Sequence, residues 1–309
     1  MVLAVLLLLG GAAVLTAGAE AAIRGASRFA QAHRISPFVL GALLFGLDLE
    51  SLGAALVAAG RGQTSIAAGE AFGTIVFLFS AAFGAALLVS RKPVPAPSLE
   101  MVLLPALALA TGAMTLNDHV VTRLEGGGLI GIYLLYIAAV IWEGHTAQMK
   151  AEEIERESRE GLRKLPPVVL LLVGLGLVYL GATVLVDGGI RILDRTSLAA
   201  GFVGAALIGA LASLDEVLLE VIPVLRGMPE LATGNLFGTV AAFATGVIGL
   251  AALVRPLEVD SAANSAFIAA SILYTVVALA FLVRGRAGKA VGLIVLFVYA
   301  LWLLLAARI

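Results

Sequence analysis

Ten apolar runs, each about the length of a membrane-spanning helix, follow one another along this chain with only short connections. They cover about residues 2 to 22, 36 to 59, 66 to 89, 100 to 117, 128 to 146, 166 to 187, 198 to 225, 231 to 254, 262 to 284 and 288 to 307. A bilayer core offers the backbone no water to bond, so only helices and closed barrels cross it, and roughly 20 consecutive apolar residues are the helical solution. Composition agrees, with 61% hydrophobic and 13% charged residues among 309 and a mean hydropathy of +1.07. The sequence predicts an all-α membrane protein of ten transmembrane helices. The first run, which ends "AVLTAGAEA", has small residues like a signal cleavage site but lacks a basic n-region, so it is read as span 1.

The soluble parts say less. A net charge of −1 gives no hint of nucleic-acid binding, and the absence of Cys removes disulfides and thiolate metal sites. Lys and Arg set the expected orientation: with the N-terminus outside, fourteen lie at the inner side, among them Arg24, Lys150, Arg163, Arg226 and Lys289. Only Arg61, Arg123, Arg191, Arg195, Arg255 and Arg308 lie at the outer side. That bias predicts both termini outside, in the cell (plasma) membrane. One organisational break stands out, the stretch "QMKAEEIERESREGLRKL" at 148–165, dense in both charge signs, before Pro166 and Pro167. It reads as a cytoplasmic linker between residues 1–147, with spans 1 to 5, and residues 166–309, with spans 6 to 10.

The halves are related. Adding 165 superposes residues 49–74 on 214–239, with eight of 26 pairs identical, including Arg61/Arg226, Gly62/Gly227, Gly69/Gly234, Phe72/Phe237, Gly73/Gly238 and Thr74/Thr239. An odd number of spans per half makes the second copy enter the membrane from the opposite side. The result is two inverted five-helix repeats, the plan of secondary transporters whose sites lie near the midplane.

The acidic residues fall inside this repeated unit. Asp48, Glu50 and Glu70 lie in spans 2 and 3, and Asp215, Glu216 and Glu220 in spans 7 and 8, with no Lys or Arg in those interiors. Each carboxylate at the bilayer centre costs roughly 2.5 to 3.5 kcal/mol on insertion scales, so bound cations, protons or water must compensate. Glu216 and Glu220 share a helical face, whereas Asp48 and Glu50 stand about 200° apart. Local unwinding between Gly46 and Gly53 would let both reach one cavity and free carbonyl oxygens, which hard cations prefer.

With these residues in view, the chain resembles the calcium/cation antiporter superfamily, which includes sodium/calcium exchangers. The segment "LLLLGGAAVLTAGAEAAIRGASRFAQAHRISPFVLGALLFG" is similar to the family's first span and the start of its second. The family's repeats read G-T-S-L-P-E, then R-G, then G-N-x-x-G-S-N. Here they read Gly46-Leu47-Asp48-Leu49-Glu50-Ser51 with Gly69-Glu70-Ala71-Phe72-Gly73-Thr74, and Leu211-Ala212-Ser213-Leu214-Asp215-Glu216 with Gly234-Asn235-Leu236-Phe237-Gly238-Thr239. The resemblance implies that Glu216 keeps a calcium-ligating position whose partner position is Ser51. Leu78 and Phe243 stand where the family can place a polar ligand, and several sodium-lining hydroxyls and amides are replaced while Asp48, Glu50, Glu70 and Asp215 are added. Crowded carboxylates with few neutral ligands favour proton coupling, since each can trade a cation for a proton.

The expected function is therefore exchange of a divalent cation such as calcium for protons or sodium, by alternating access. The candidate cation ligands are Asp48, Glu50, Ser51, Glu70, Thr74, Ser213, Asp215, Glu216, Glu220, Asn235 and Thr239. Simpler roles stand beside these: Glu220 lining an access path, Glu70 and Asn235 bonding neighbouring helices, and the hydroxyls serving close helix packing. Glu230, Asp118, His119, Glu143 and His145 read as interfacial, and His33 as a loop residue. No cofactor is expected, and the partners are the lipid bilayer and the transported cations, with no protein partner readable. Three His, none in H-E-x-x-H, and no nucleotide-binding signature argue against an enzyme. The alternative is a degenerate, non-transporting sensor or scaffold derived from an antiporter.

Overall fold

A computed structural model describes residues 2–32, 49–97, 99–115, 119–144, 166–225, 229–306 and 308. Asp48, His33, Asp118, His145 and the 148–165 linker lie outside the described residues.

The longest elements are α1 (Val2–Ala32) and α7 (Pro167–Leu193), which pack against each other along their lengths. Glycine makes that possible. A Cβ on Gly11, Gly18 or Gly25 would stand 2.6, 2.6 and 2.4 Å from the backbone nitrogens of Leu185, Val178 and Leu171, and one on Gly181 2.4 Å from that of Leu15. Each step of seven residues up α1 meets a step of seven down α7, so the helices run antiparallel in one register. A seven-residue period is that of a left-handed supercoil, and small residues at the seam supply the van der Waals contact that drives helix association in lipid. The other faces of both helices expose large apolar side chains, Leu6, Leu9, Leu172 and Leu180 among them.

The duplicated segment folds as a duplicate. In the first copy α2 (Leu49–Gly60) turns through Gly62, at φ 78°, into α3 (Thr64–Phe77). A π-helical segment (Leu78–Ala82) then leads into α4 (Phe83–Val89). After β1 (Val94–Pro95), α5 (Leu99–Thr115), β2 (Val120–Val121) and α6 (Arg123–Gly144) complete the half. Beyond α7, α8 (Ala200–Val203), a second π-helical segment (Gly204–Gly209) and α9 (Ala210–Ala212) form a broken stretch. The second copy follows as α10 (Leu214–Leu225), α11 (Pro229–Ala241), a π-helical segment (Ala242–Val247) and α12 (Ile248–Val254). The start and end of α10 and of α12 lie 165 residues beyond those of α2 and α4, the offset found in the sequence. Pro229 opens α11, where its missing N–H has no helical partner to lose.

The chain ends with β3 (Leu257–Glu258), α13 (Ser261–Arg284), β4 (Arg286–Ala287) and α14 (Lys289–Ala306). Asp260 holds two helix starts together: its side chain accepts from Ala263 N at 2.7 Å, capping α13, and from Gly201 N at 2.9 Å in α8. Gly285, at φ 63°, ends α13. The strands pair antiparallel between halves, β1 with β4 and β2 with β3.

Expectation and structure differ in three places. Among the described residues five helices are both long and apolar enough to cross a membrane, Thr64–Val89, Pro167–Leu193, Ala232–Val254, Ser261–Arg284 and Lys289–Ala306. Shorter apolar helices cover Val2–Gly18, Ser51–Gly60, Val102–Ala113 and Ala200–Gly209. Secondly, the run expected to be continuous over 198–225 is interrupted at Ser213, at φ −108° and ψ 21°. Thirdly, the unwinding sought between Gly46 and Gly53 is not found from Leu49 onward, where α2 is helical through Gly53; the described interruption is at Ser213, the repeat counterpart of Asp48.

The core lies where the duplicated arms meet. Phe79 packs edge-on against Phe237 with ring centroids 5.9 Å apart, and Tyr274 closes on both at 5.7 Å. α3 runs backbone-to-backbone against the α8 region, because a Cβ on Gly69 or Gly73 would stand 2.2 Å from Gly201 O and 2.4 Å from Ala205 Cα. Gly209 likewise abuts Glu70 O and Thr74 N. This close approach sets the distance between polar groups on α3 and those beside Ser213.

Candidate cation site

Three hydroxyls from three places in the fold meet in the interior. Ser51 is in the first turn of α2, Thr74 in the last turn of α3, and Ser213 at the break between α9 and α10. Ser51 Oγ and Thr74 Oγ1 are 3.1 Å apart, Ser213 Oγ donates to Thr74 Oγ1 at 3.2 Å, and Ser51 Oγ and Ser213 Oγ stand 3.5 Å apart. Thr74 Oγ1 donates in turn to Glu70 Oε1, one turn earlier on α3, at 3.4 Å. All four side chains are fully buried. Neutral hydrogen bonds of this kind contribute about 1 kcal/mol each, but a buried hydroxyl left unpaired costs about 1 to 3 kcal/mol. The cluster therefore fixes the spacing of α2, α3 and the 213 break, and joins the two halves.

A second polar group belongs to the second copy. Glu216 and Glu220 rise from one face of α10, and the Asn235 amide on α11 reaches both, donating to Glu216 Oε2 at 2.5 Å and to Glu220 Oε1 at 3.4 Å. Glu216 is 3% exposed and Glu220 0%, so two carboxyl groups one turn apart sit in the interior, bridged by the Asn235 amide. Thr239, the counterpart of Thr74, is also buried, and its Oγ1 has no hydrogen-bond partner among the described residues.

Of the expected ligands, the structure brings Ser51, Glu70, Thr74 and Ser213 into one group and Glu216, Glu220 and Asn235 into another. Thr239 joins neither by a described hydrogen bond. Glu50 and Asp215 occupy the second position of α2 and α10, and Asp48 lies outside the described residues. No three His, Asp or Glu side chains converge among the described residues, so a cation here would draw on hydroxyl, amide, carbonyl or water oxygens beside its carboxylates. That mixture suits hard cations.

Leu78 and Phe243, at positions open to a polar ligand, are fully buried, Leu78 opening the first π-helical segment and Phe243 standing second in the last. The bulge, a frequent companion of functional sites, is present with an apolar side chain in it. Sequence reasoning missed Tyr133 and Tyr136 on α6, stacked with centroids 6.4 Å apart. Tyr136 OH approaches Gly238, 3.6 Å from where its Cβ would be, and the buried Tyr133 OH has no hydrogen-bond partner among the described residues. Tyrosines amid an apolar span are the only sign that pointed there. His119, read as interfacial, is an exposed residue with φ 62°.

Known proteins share this architecture. The profile described as sodium/calcium exchanger protein matches residues 3–142 and 166–308, almost the whole chain on either side of the charged stretch at 148–165. A protein named as a candidate antiporter, CaxA of Alkalimonas amylolytica, is 27% identical over 275 residues, covering 85% of this chain and 84% of its own. The inner membrane protein YrbG of Escherichia coli (strain K12) is 26% identical over 322 residues, covering 98% and 96%. Among solved structures, the sodium-calcium exchanger NCX_Mj matches with a TM-score of 0.64 at 20% identity, covering 97% of each chain, which establishes the shared fold. With its apolar helices, its duplicated arms and this match along both halves, the chain is an integral membrane protein that belongs to the sodium/calcium exchanger protein family, a family of cation antiporters rather than enzymes.

Proposed function

We propose that the protein exchanges a divalent cation such as calcium for protons or sodium by alternating access to one site between two inverted halves. The halves are residues 1–147 and 166–309, each of five spans, joined by a cytoplasmic linker at 148–165, with both termini outside the plasma membrane. The ligands drawn on are Asp48, Glu50, Ser51, Glu70, Thr74, Ser213, Asp215, Glu216, Glu220, Asn235 and Thr239.

The observation that carries this reading is the burial of Glu216 and Glu220 beside a hydroxyl cluster to which both halves contribute. Buried carboxylates in a membrane protein are expensive, and a cargo cation or a proton is a compensation that also performs work. Hydroxyl and amide oxygens complete a hard-cation shell, and a site at the junction of two halves is opened to either face by a small movement of one against the other. Carboxylate-rich chemistry that has lost the family's amide and hydroxyl positions favours protons as the coupling ion.

The test is calcium uptake into everted vesicles driven by an imposed pH gradient, compared with a sodium gradient. The expected result is pH-driven uptake that Glu216→Gln abolishes. Absence of flux for every cation tried, with Glu216→Gln indistinguishable from the parent, would sink the reading in favour of a non-transporting sensor or scaffold.

A further inference from the structure

One residue of the buried group has no symmetric partner. The repeat counterpart of Glu220 is Ala55, and the face of α2 that continues from Ser51 is closed by Ala54, Ala55, Ala58 and Ala59, all fully buried. On α10 the same direction carries a carboxyl group. Glu220 stands one turn beyond Glu216, toward the C-terminal end of α10, and the Asn235 amide touches both. Its Oε2 is buried and has no hydrogen-bond partner among the described residues, and an unsatisfied polar atom in such surroundings costs free energy unless something binds it.

We propose that Glu220 is a second cation station, which passes a hard divalent cation between Glu216 and the membrane face toward which α10 ends and from which α11 starts. The inference rests on the antiport reading above. Asn235 makes the transfer feasible: its amide N–H groups hold the two carboxyl groups together, and rotation of the same side chain presents Oδ1 as a ligand. A cation entering between the glutamates thus finds two carboxylates and an amide oxygen. The alanines of α2 offer nothing comparable, so the added station serves one face only. In the expected orientation that face is cytoplasmic, since Arg226 lies at the inner side.

The absence of native Cys provides a direct test. Purified Glu220→Cys protein in vesicles of either orientation is treated with a small charged membrane-impermeant thiol reagent, with and without calcium. Faster labelling from the α10–α11 face, slowed by calcium, is expected. In parallel, Glu220→Gln, which keeps the side-chain size and its bond to Asn235, should raise the half-saturating calcium concentration about ten-fold from that face alone. Equal changes from both faces, labelling alike from both, or a Glu220→Gln protein identical to the parent would each overturn the proposal. A parent that moves no cation would refute the antiport reading instead, and calcium slowing of the labelling of Glu220→Cys protein would still report whether a cation enters the station.

Discussion

The arms at 49–89 and 214–254 share most helix boundaries, a π-helical segment at nearly the same place and four glycines at the 165-residue offset, yet their polar chemistry is exchanged. In the first, the helix that opens the arm offers a hydroxyl at Ser51 and the following helix a carboxyl at Glu70. In the second, the opening helix offers Glu216 and the following one the Asn235 amide. Backbone geometry depends on sterics and turn residues, so it survives changes of side-chain chemistry. Polar clusters depend on particular oxygens, so two similar arms can carry unequal sets of them.

The largest expected effect separates the acids. Glu216→Gln should abolish cation flux in vesicles, whereas Ser51→Ala, at the equivalent position, should leave flux measurable with weakened cation affinity. Equal loss in both would make the arms functionally equivalent and break the contrast.

Next come the glycines. Gly73→Ala places a methyl group 2.4 Å from the Ala205 backbone, and should destabilise by several kcal/mol or prevent assembly, since neither backbone can give way. Gly238→Ala meets only Tyr136 OH at 3.6 Å and should be neutral or stabilising by up to about 1 kcal/mol through helix propensity. Thermal unfolding in detergent reads both.

A smaller difference is expected at the threonines. Thr74→Val removes a hydroxyl that bonds Ser51, Ser213 and Glu70, at a cost of about 1 to 3 kcal/mol. Thr239→Val removes one without a described partner, and stability should hold or rise. If its flux falls while its stability holds, the Thr239 hydroxyl serves cargo rather than fold.

The smallest effect belongs to the ion pair between Arg61 Nη1 and Asp187 Oδ1, which links the α2–α3 turn to α7 with side chains 34% and 46% exposed. Partial exposure screens it, so Arg61→Ala should shift stability by less than about 1 kcal/mol in the same assay.

Much of this was legible in the sequence. The 165-residue offset anticipated the helix boundaries because Arg-Gly and Gly-x-x-Phe-Gly-Thr mark places where a turn or a close approach constrains the residue. Glu216 and Glu220 share a face because helical periodicity admits no other arrangement. The Ser213 break was not legible, since Leu-Ala-Ser-Leu carries no Gly or Pro, and its geometry is imposed by packing against α3. The π-helical segments left no mark either: one extra residue in a turn of Leu, Phe and Ala changes neither composition nor hydropathy. Two-residue strands are too short for any alternation. The seven-residue glycine register of α1 and α7 was present all along, but glycine is so common here that only the facing helix shows which ones count.

The strand pairs have a consequence for how the protein is made. β1 is complete when residue 95 leaves the ribosome, but its partner is residues 286 and 287, made far later. β2 likewise waits for residues 257 and 258. Both strands before residue 122 therefore wait for partners made after residue 256. Cut between residues 148 and 165, the protein should assemble only when both pieces are made in the same cell, like two hands that close only by lacing their fingers.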